Sequence, residues 1–254
     1  MLVRTQAIVL RRLRYSDSSI IATLLTADRG VESIIAKGAR SGKSRLAALL
    51  QPLEELELQY YVKPGRELHL LRSAERVHLR RRLLSSYDHA LAGYAIAEIV
   101  LRIELPGHSS PEVFDLVRQA LRALDQAENN PQVFLPAFAL RYAAVHGFPL
   151  RIEGNAGTEH MAPSFPVLDS SLSAYALMME EGRLCPIQTI QSGRVSPENM
   201  IEPAVVAMLA TLQRCPWEEL SSVAMDTAML SACQTLAYRY LEYHFERRIQ
   251  RSVH

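Results

Sequence analysis

The feature that most constrains this chain is a change of hydrophobic period near Arg80. Before it, five short runs rich in Val, Ile, Leu and Tyr (residues 5–13, 19–26, 31–36, 53–62 and 67–72) are separated by the turn-forming segments SDSS, ADRG, KGARSGKS and KPGR. Leu56, Leu58 and Tyr60 alternate with Glu55, Glu57 and Gln59, the pattern of a strand with one wet face. Five short strands in so little chain fit a small closed barrel. An OB-fold is the expected form, with an SH3-like barrel as the alternative.

After Arg80 the period becomes helical. Residues 83–105, 111–125, 131–146 and 226–249 carry apolar side chains at helical spacing, as in Phe114, Val117, Leu121 and Leu124. Ser110-Pro111-Glu112, Asn130-Pro131-Gln132 and Ser196-Pro197-Glu198 each read as a helix start, with a capping residue followed by proline at the first helical position. Residues 148–195 lose periodicity and predict an irregular insertion. The expected class is therefore α+β: an OB-fold barrel over residues 1–80, then a helical domain over 81–254.

Charge divides along the same line. Residues 1–82 hold 16 Lys+Arg against 8 Asp+Glu, a net +8, whereas residues 83–254 hold 12 against 19, a net −7. A basic barrel joined to an acidic helical region predicts a polyanionic partner for the barrel. No run of about 18 apolar residues occurs, and the apolar stretch 7–10 is too short for a signal segment, so a soluble, cytoplasmic protein is expected. Cys185, Cys215 and Cys233 are odd in number and far apart, which suggests core thiols and neither disulfides nor a metal site.

AKGARSGKSR, residues 36–45, admits two readings. A phosphate-binding loop needs G-x-x-x-x-G-K-[ST], yet Gly38 and Gly42 are separated by only three residues, so an NTPase using Lys43 and Ser44 is the weaker alternative. As a comb of cations, Lys37, Arg40, Lys43 and Arg45 would each meet a phosphate without reading base identity. Arg14, Lys63 and Arg66 extend the candidate set, and Tyr15 and Tyr60 are candidate stacking surfaces. Adjacent strand residues face opposite ways, so only one of Tyr60 and Tyr61 can lie on such a surface. Arg80-Arg81-Arg82 either continues the basic track or caps the boundary between regions. A third reading makes the barrel a scaffold for an acidic protein. No HExxH pair, GxSxG elbow or compact carboxylate set is present, and no catalytic residue, cofactor or metal is assigned.

TQAIVL, LLTADRGVESIIAKGARSGKSR, LLQPLEELEL and LHLLRSAE together resemble the N-terminal barrel of the RecO family of bacterial DNA repair and recombination proteins. Its T-x-x-x-G turn corresponds to Thr26 and Gly30, its A-K-G-A-R run to residues 36–40, and its Q-P step to Gln51-Pro52. FALRYAAVHGFP, residues 138–149, resembles the family's helix-glycine junction. The resemblance implies a non-enzymatic, nucleoid-associated mediator of the RecF pathway. Such a protein binds single- and double-stranded DNA and anneals complementary strands. It contacts the C-terminal tail of single-stranded DNA-binding protein and, with RecR, helps load RecA. By the same resemblance the tail pocket lies in the helical domain, where Phe138, Arg141 and Tyr142 are its candidates. Many members carry a four-cysteine zinc site in the insertion. Here Gly154 and Gly157 stand where the first pair is expected, so zinc is not.

Overall fold

A computed structural model describes residues 1–41, 44–153, 174–190 and 195–247. Strands β1 (Leu2–Tyr15), β2 (Ser19–Thr26), β3 (Gly30–Ala36), β4 (Glu55–Tyr61) and β5 (Leu68–His78) form a closed barrel in the order β1-β2-β3-β5-β4, with the short helix α1 (Leu46–Leu49) between β3 and β4. All neighbours pair antiparallel except β3 and β5, whose parallel pairing closes the OB-fold. Ala7, Val9, Ile20, Ala22, Leu24, Ile34, Leu56, Leu58 and Tyr60 fill its interior.

Helices α2 (Arg81–Ser85), α3 (Tyr87–Ile103) and α4 (Pro111–Gln126) belong with the barrel in one compact unit, Met1–Ala127. Composition changes at residue 80, but the compact unit runs further because these helices bury charge and apolar surface against the strands. Glu55, expected on a wet face, is fully buried: Arg80 reaches it at 2.8 Å and Arg122 of α4 at 2.7 Å. Glu54 next to it is also buried and accepts a two-pronged bond from Arg76, at 2.7 and 2.8 Å. Gly30 has φ +67°, and a Cβ there would stand 1.8 Å from the His108 carbonyl oxygen, so only glycine lets the loop before α4 lie on this turn.

The second unit, Glu128–Arg248, contains strands β6 (Arg151–Ile152), β7 (Tyr175–Met178), β8 (Arg183–Pro186) and β9 (Met200–Ile201) in a four-stranded sheet. Its helices are α5 (Phe134–Val145), α6 (Pro203–Arg214) and α7 (Thr227–Phe245). The segment read as irregular therefore contributes strands, too short to show a period of two. Ser196-Pro197-Glu198 opens only a single 3-10 turn, Pro197–Asn199, and Ser196 makes no capping bond. Helix α6, which no sequence signal had marked, starts at Pro203 behind Glu202. Ser110 does cap α4, accepting from the Val113 N–H, and Asp226 caps α7 through Met229. Gly154 and Gly157 lie outside the described residues.

Candidate nucleic-acid interface

Strand register decides which cations share a surface. Arg12 and Arg14 lie opposite Ala22 and Ile20, and Ile20 lies opposite Ala36, so the end of β1 and the turn after β3 meet at one end of the barrel. In that turn Gly38 takes φ +67°, Ala39 is fully buried as a plug on the barrel core, and Lys37 and Arg40 stay exposed on either side of it. The turn is clamped to the first hairpin: the Arg40 N–H donates to Ser18 O at 3.0 Å and its guanidinium to Ser16 O at 3.3 Å. The A-K-G-A-R run thus fixes backbone with its small residues and projects its cations outward.

A cleft of about 500 Å³ opens here, lined by Arg12, Arg14, Arg40 and Gln51 with Ile20 and Ala47. Arg12 is anchored through its guanidinium to Ala47 O at 3.1 Å. Arg45 is exposed at the start of α1, and Tyr15 is exposed beside Arg14. Lys43 and Gly42 lie outside the described residues. Ser44 accepts the Leu46 N–H at 3.2 Å, and the helix that follows has four residues. A phosphate loop instead leads from a parallel strand into a full helix whose N-terminus faces the anion, which a turn between barrel strands does not provide.

The remaining cations divide by what they touch. Arg12, Arg14, Lys37, Arg40 and Arg45 form no ion pair with a described residue, whereas Arg29 pairs with Glu32, Arg76 with Glu54, and Arg80 and Arg122 with Glu55. Arg80 is buried, and desolvation lowers its pKa against the pull of Glu55. Arg82 donates to the carbonyls of Gln126 and Ala127 at the end of α4. Arg80 thus fastens the entry to the helices onto β4, Arg82 ties α2 to the end of α4, and only Arg81 is left exposed.

Two expectations are corrected, for Tyr60 and for the buried Phe138 and Tyr142, and Lys63 and Arg66 are placed away from the cleft. Tyr60 is no stacking surface: it is fully buried, stacked on His69, and its hydroxyl donates to Glu32, with burial and that carboxylate raising its pKa. Tyr61 is the exposed member of the pair. Lys63 and Arg66 are exposed, but their turn follows Tyr61, which pairs with Leu2. They sit at the opposite end of β1 from Arg14, on the order of 40 Å along the strand. Phe138 and Tyr142 are fully buried. Arg141 donates to Leu212 O at 2.8 Å and to Cys215 O, with its guanidinium 4.0 Å over the Trp217 ring. Burial lowers it to about 10. Arg141 thus ties α5 to the end of α6, while Tyr142 packs on Phe138 and on Phe245 of α7.

Arg12 and Gln51 were missed. The signal was present, since Arg12 and Arg14 are two apart on a strand and so share a face.

Residues 1–80 match the family model described as "Recombination protein O N terminal", and residues 84–252 match "Recombination protein O C terminal". The chain belongs to the RecO family. A relative named DNA repair protein RecO from Nocardioides sp. is 30% identical over 97% of this chain and 96% of its own length. Its namesake from Salinibacter ruber is 27% identical over 96% of this chain and 89% of its own. RecO membership makes this a DNA repair and recombination protein. It also accounts for the barrel-then-helices order, and no helix among the described residues is long and apolar enough to cross a membrane.

Proposed function

We propose that this chain is a non-enzymatic recombination mediator that grips DNA through the basic end of its barrel, with Arg12, Arg14, Lys37, Arg40, Lys43 and Arg45 on phosphates and Tyr15 against a base. The observation that carries this reading is a cluster: Arg12, Arg14 and Arg40 converge on one cleft and pair with no carboxylate among the described residues, whereas Arg29, Arg76, Arg80 and Arg122 are used up in pairs. Unpaired guanidinium groups around an open cleft favour phosphate oxygens, and they contact backbone without reading sequence. A barrel end that holds one strand without sequence preference leaves its bases free to meet a complement, which is how binding becomes annealing. Contacts with RecR and with the tail of single-stranded DNA-binding protein, and through them an effect on RecA loading, are part of this reading by family membership. Phe138 and Tyr142 are buried and Arg141 is engaged within its own unit, so this reading does not use them as the site.

The test is annealing of two complementary labelled oligonucleotides followed by energy transfer. Wild type accelerates annealing with or without Mg-ATP, and an Arg12→Ala/Arg14→Ala/Arg40→Ala variant with native circular dichroism loses the acceleration. Nucleotide binding abolished by Lys43→Ala would support the NTPase instead.

A further inference from the structure

The outside of the barrel carries an apolar ladder that the core does not use, and of which only the first rung, Leu13, also lines the basic cleft. Leu13 lies opposite Ile21, Ile21 opposite Ile35, Ile35 opposite Leu70, Leu70 opposite Tyr61, and Tyr61 opposite Leu2. Residues directly opposed across strands point to the same side. The neighbours of this row, Ile20, Ala22, Ile34, Ala36, Leu71 and Tyr60, point inward and form the core, so the row itself points out. Leu2, Tyr61 and Leu70 are 43%, 41% and 37% exposed, Leu68 two residues from Leu70 is 37% exposed, and Ile35 and Ile21 are half-buried. Single exposed leucines are ordinary, but one on each successive strand, in register, makes a continuous surface.

Two residues further along, the flanking positions are Lys37 in the turn beyond β3, Arg72 at a bulge in β5, Gln59 of β4, which lies opposite Ser73, and Arg4 of β1 opposite Gln59. Three of these four are cations, and Arg4 keeps Glu57 as a partner. We propose that Ile35, Leu68, Leu70, Tyr61 and Leu2 form a docking surface for an acidic amphipathic helix of a partner protein, with carboxylates along one flank of the helix meeting Arg72 and Lys37. Charge complementarity selects the acidic partner. The span from β3 to β1 crosses three strand spacings, about 14 Å, which matches about ten helical residues. Its aliphatic character selects protein over nucleic acid, because bases stack on aromatic rings or guanidinium planes and Tyr61 is the one ring in this sector. None of the five docking residues lines the basic cleft, and Lys37 alone is shared with the proposed phosphate contacts.

The probes are two synthetic helical peptides of about 14 residues with an identical leucine stripe, one flanked by glutamates and one by lysines. Binding to the full chain is read by fluorescence anisotropy, beside binding of a labelled single-stranded oligonucleotide. The glutamate peptide binds at least about tenfold more tightly than the lysine peptide. Leu70→Ser/Tyr61→Ser weakens it by about tenfold or more and leaves oligonucleotide affinity within about twofold. Arg72→Glu, an exposed charge reversal that leaves the apolar row intact, erases the preference for the glutamate peptide. The proposal is overturned if the two peptides bind alike or not at all. It is equally overturned if the double variant weakens the oligonucleotide and not the peptide, which would make the row a base-stacking surface, or if wild type forms a dimer in sedimentation velocity that the double variant loses, which would make a second copy the occupant.

Discussion

At the scale of single residues, what separates the cations of the barrel is whether a carboxylate already holds them. The surplus of arginine and lysine over residues 1–82 was legible in the sequence. Their division into paired and unpaired groups was not, because Glu55 meets Arg80 and Arg122 from 25 and 67 residues away. Glu55 read as a wet-face residue since alternation reports only one partner surface, and here both faces of β4 are covered at that point. Replacing it by glutamine leaves Arg80 buried without a counter-charge. Glu55→Gln should lower stability by about 3 kcal/mol in urea unfolding, while oligonucleotide affinity stays at the wild-type value. Tyr60→Phe separates a core role from a stacking role for that ring: it should cost about 1–3 kcal/mol by leaving the buried Glu32 Oε2 without its hydroxyl donor while Arg29 keeps Oε1, and leave DNA affinity unchanged, where a stacking role would have weakened it.

Elements were legible where local chemistry decides them. The Thr26 to Gly30 turn was readable because its bonds are local, with the Thr26 hydroxyl donating to Gly30 O at 2.9 Å and accepting the Arg29 N–H at 3.1 Å. Gly30 also permits the close approach of His108, a long-range requirement that no local pattern reveals. Gly30→Ala is expected to cost about 2 kcal/mol or more, from its positive φ and the displaced carbonyl together, and thermal unfolding measures it. Strand β5 runs to His78, six residues past its expected end, since Ser73, Glu75 and Arg76 carry no strand signal of their own and are held by pairing to β4. The strands of the second unit were invisible for a related reason, being two to four residues long.

At the scale of the whole molecule, the two compact units differ in charge: residues 1–127 hold 19 Lys+Arg against 14 Asp+Glu, and residues 128–248 hold 8 against 13. The second unit also has its own pH sensitivity. His244 stacks on Phe148 at 4.6 Å and meets Tyr240 edge-on at 4.4 Å, and burial lowers its pKa below the ordinary 6.5. The unfolded chain then takes up the proton more readily than the fold, so stability is present above pH about 6.5 and is lost as pH falls through that value. His244→Phe should flatten that part of the melting-temperature profile between about pH 7.5 and 5.5; an unchanged profile would assign the loss to other histidines.

The measurement that tests the central claim most directly is the salt dependence of single-strand binding, compared between variants at the two ends of the barrel. Removing Arg12, Arg14 and Arg40 together should lower the slope of log affinity against log salt by about 2, three phosphates at about 0.7 each. Removing Lys63 and Arg66 at the other end should leave the slope as in wild type. The reverse result, a slope kept by the triple variant and lost by the double, would place the DNA at the opposite end of the barrel and contradict the claim.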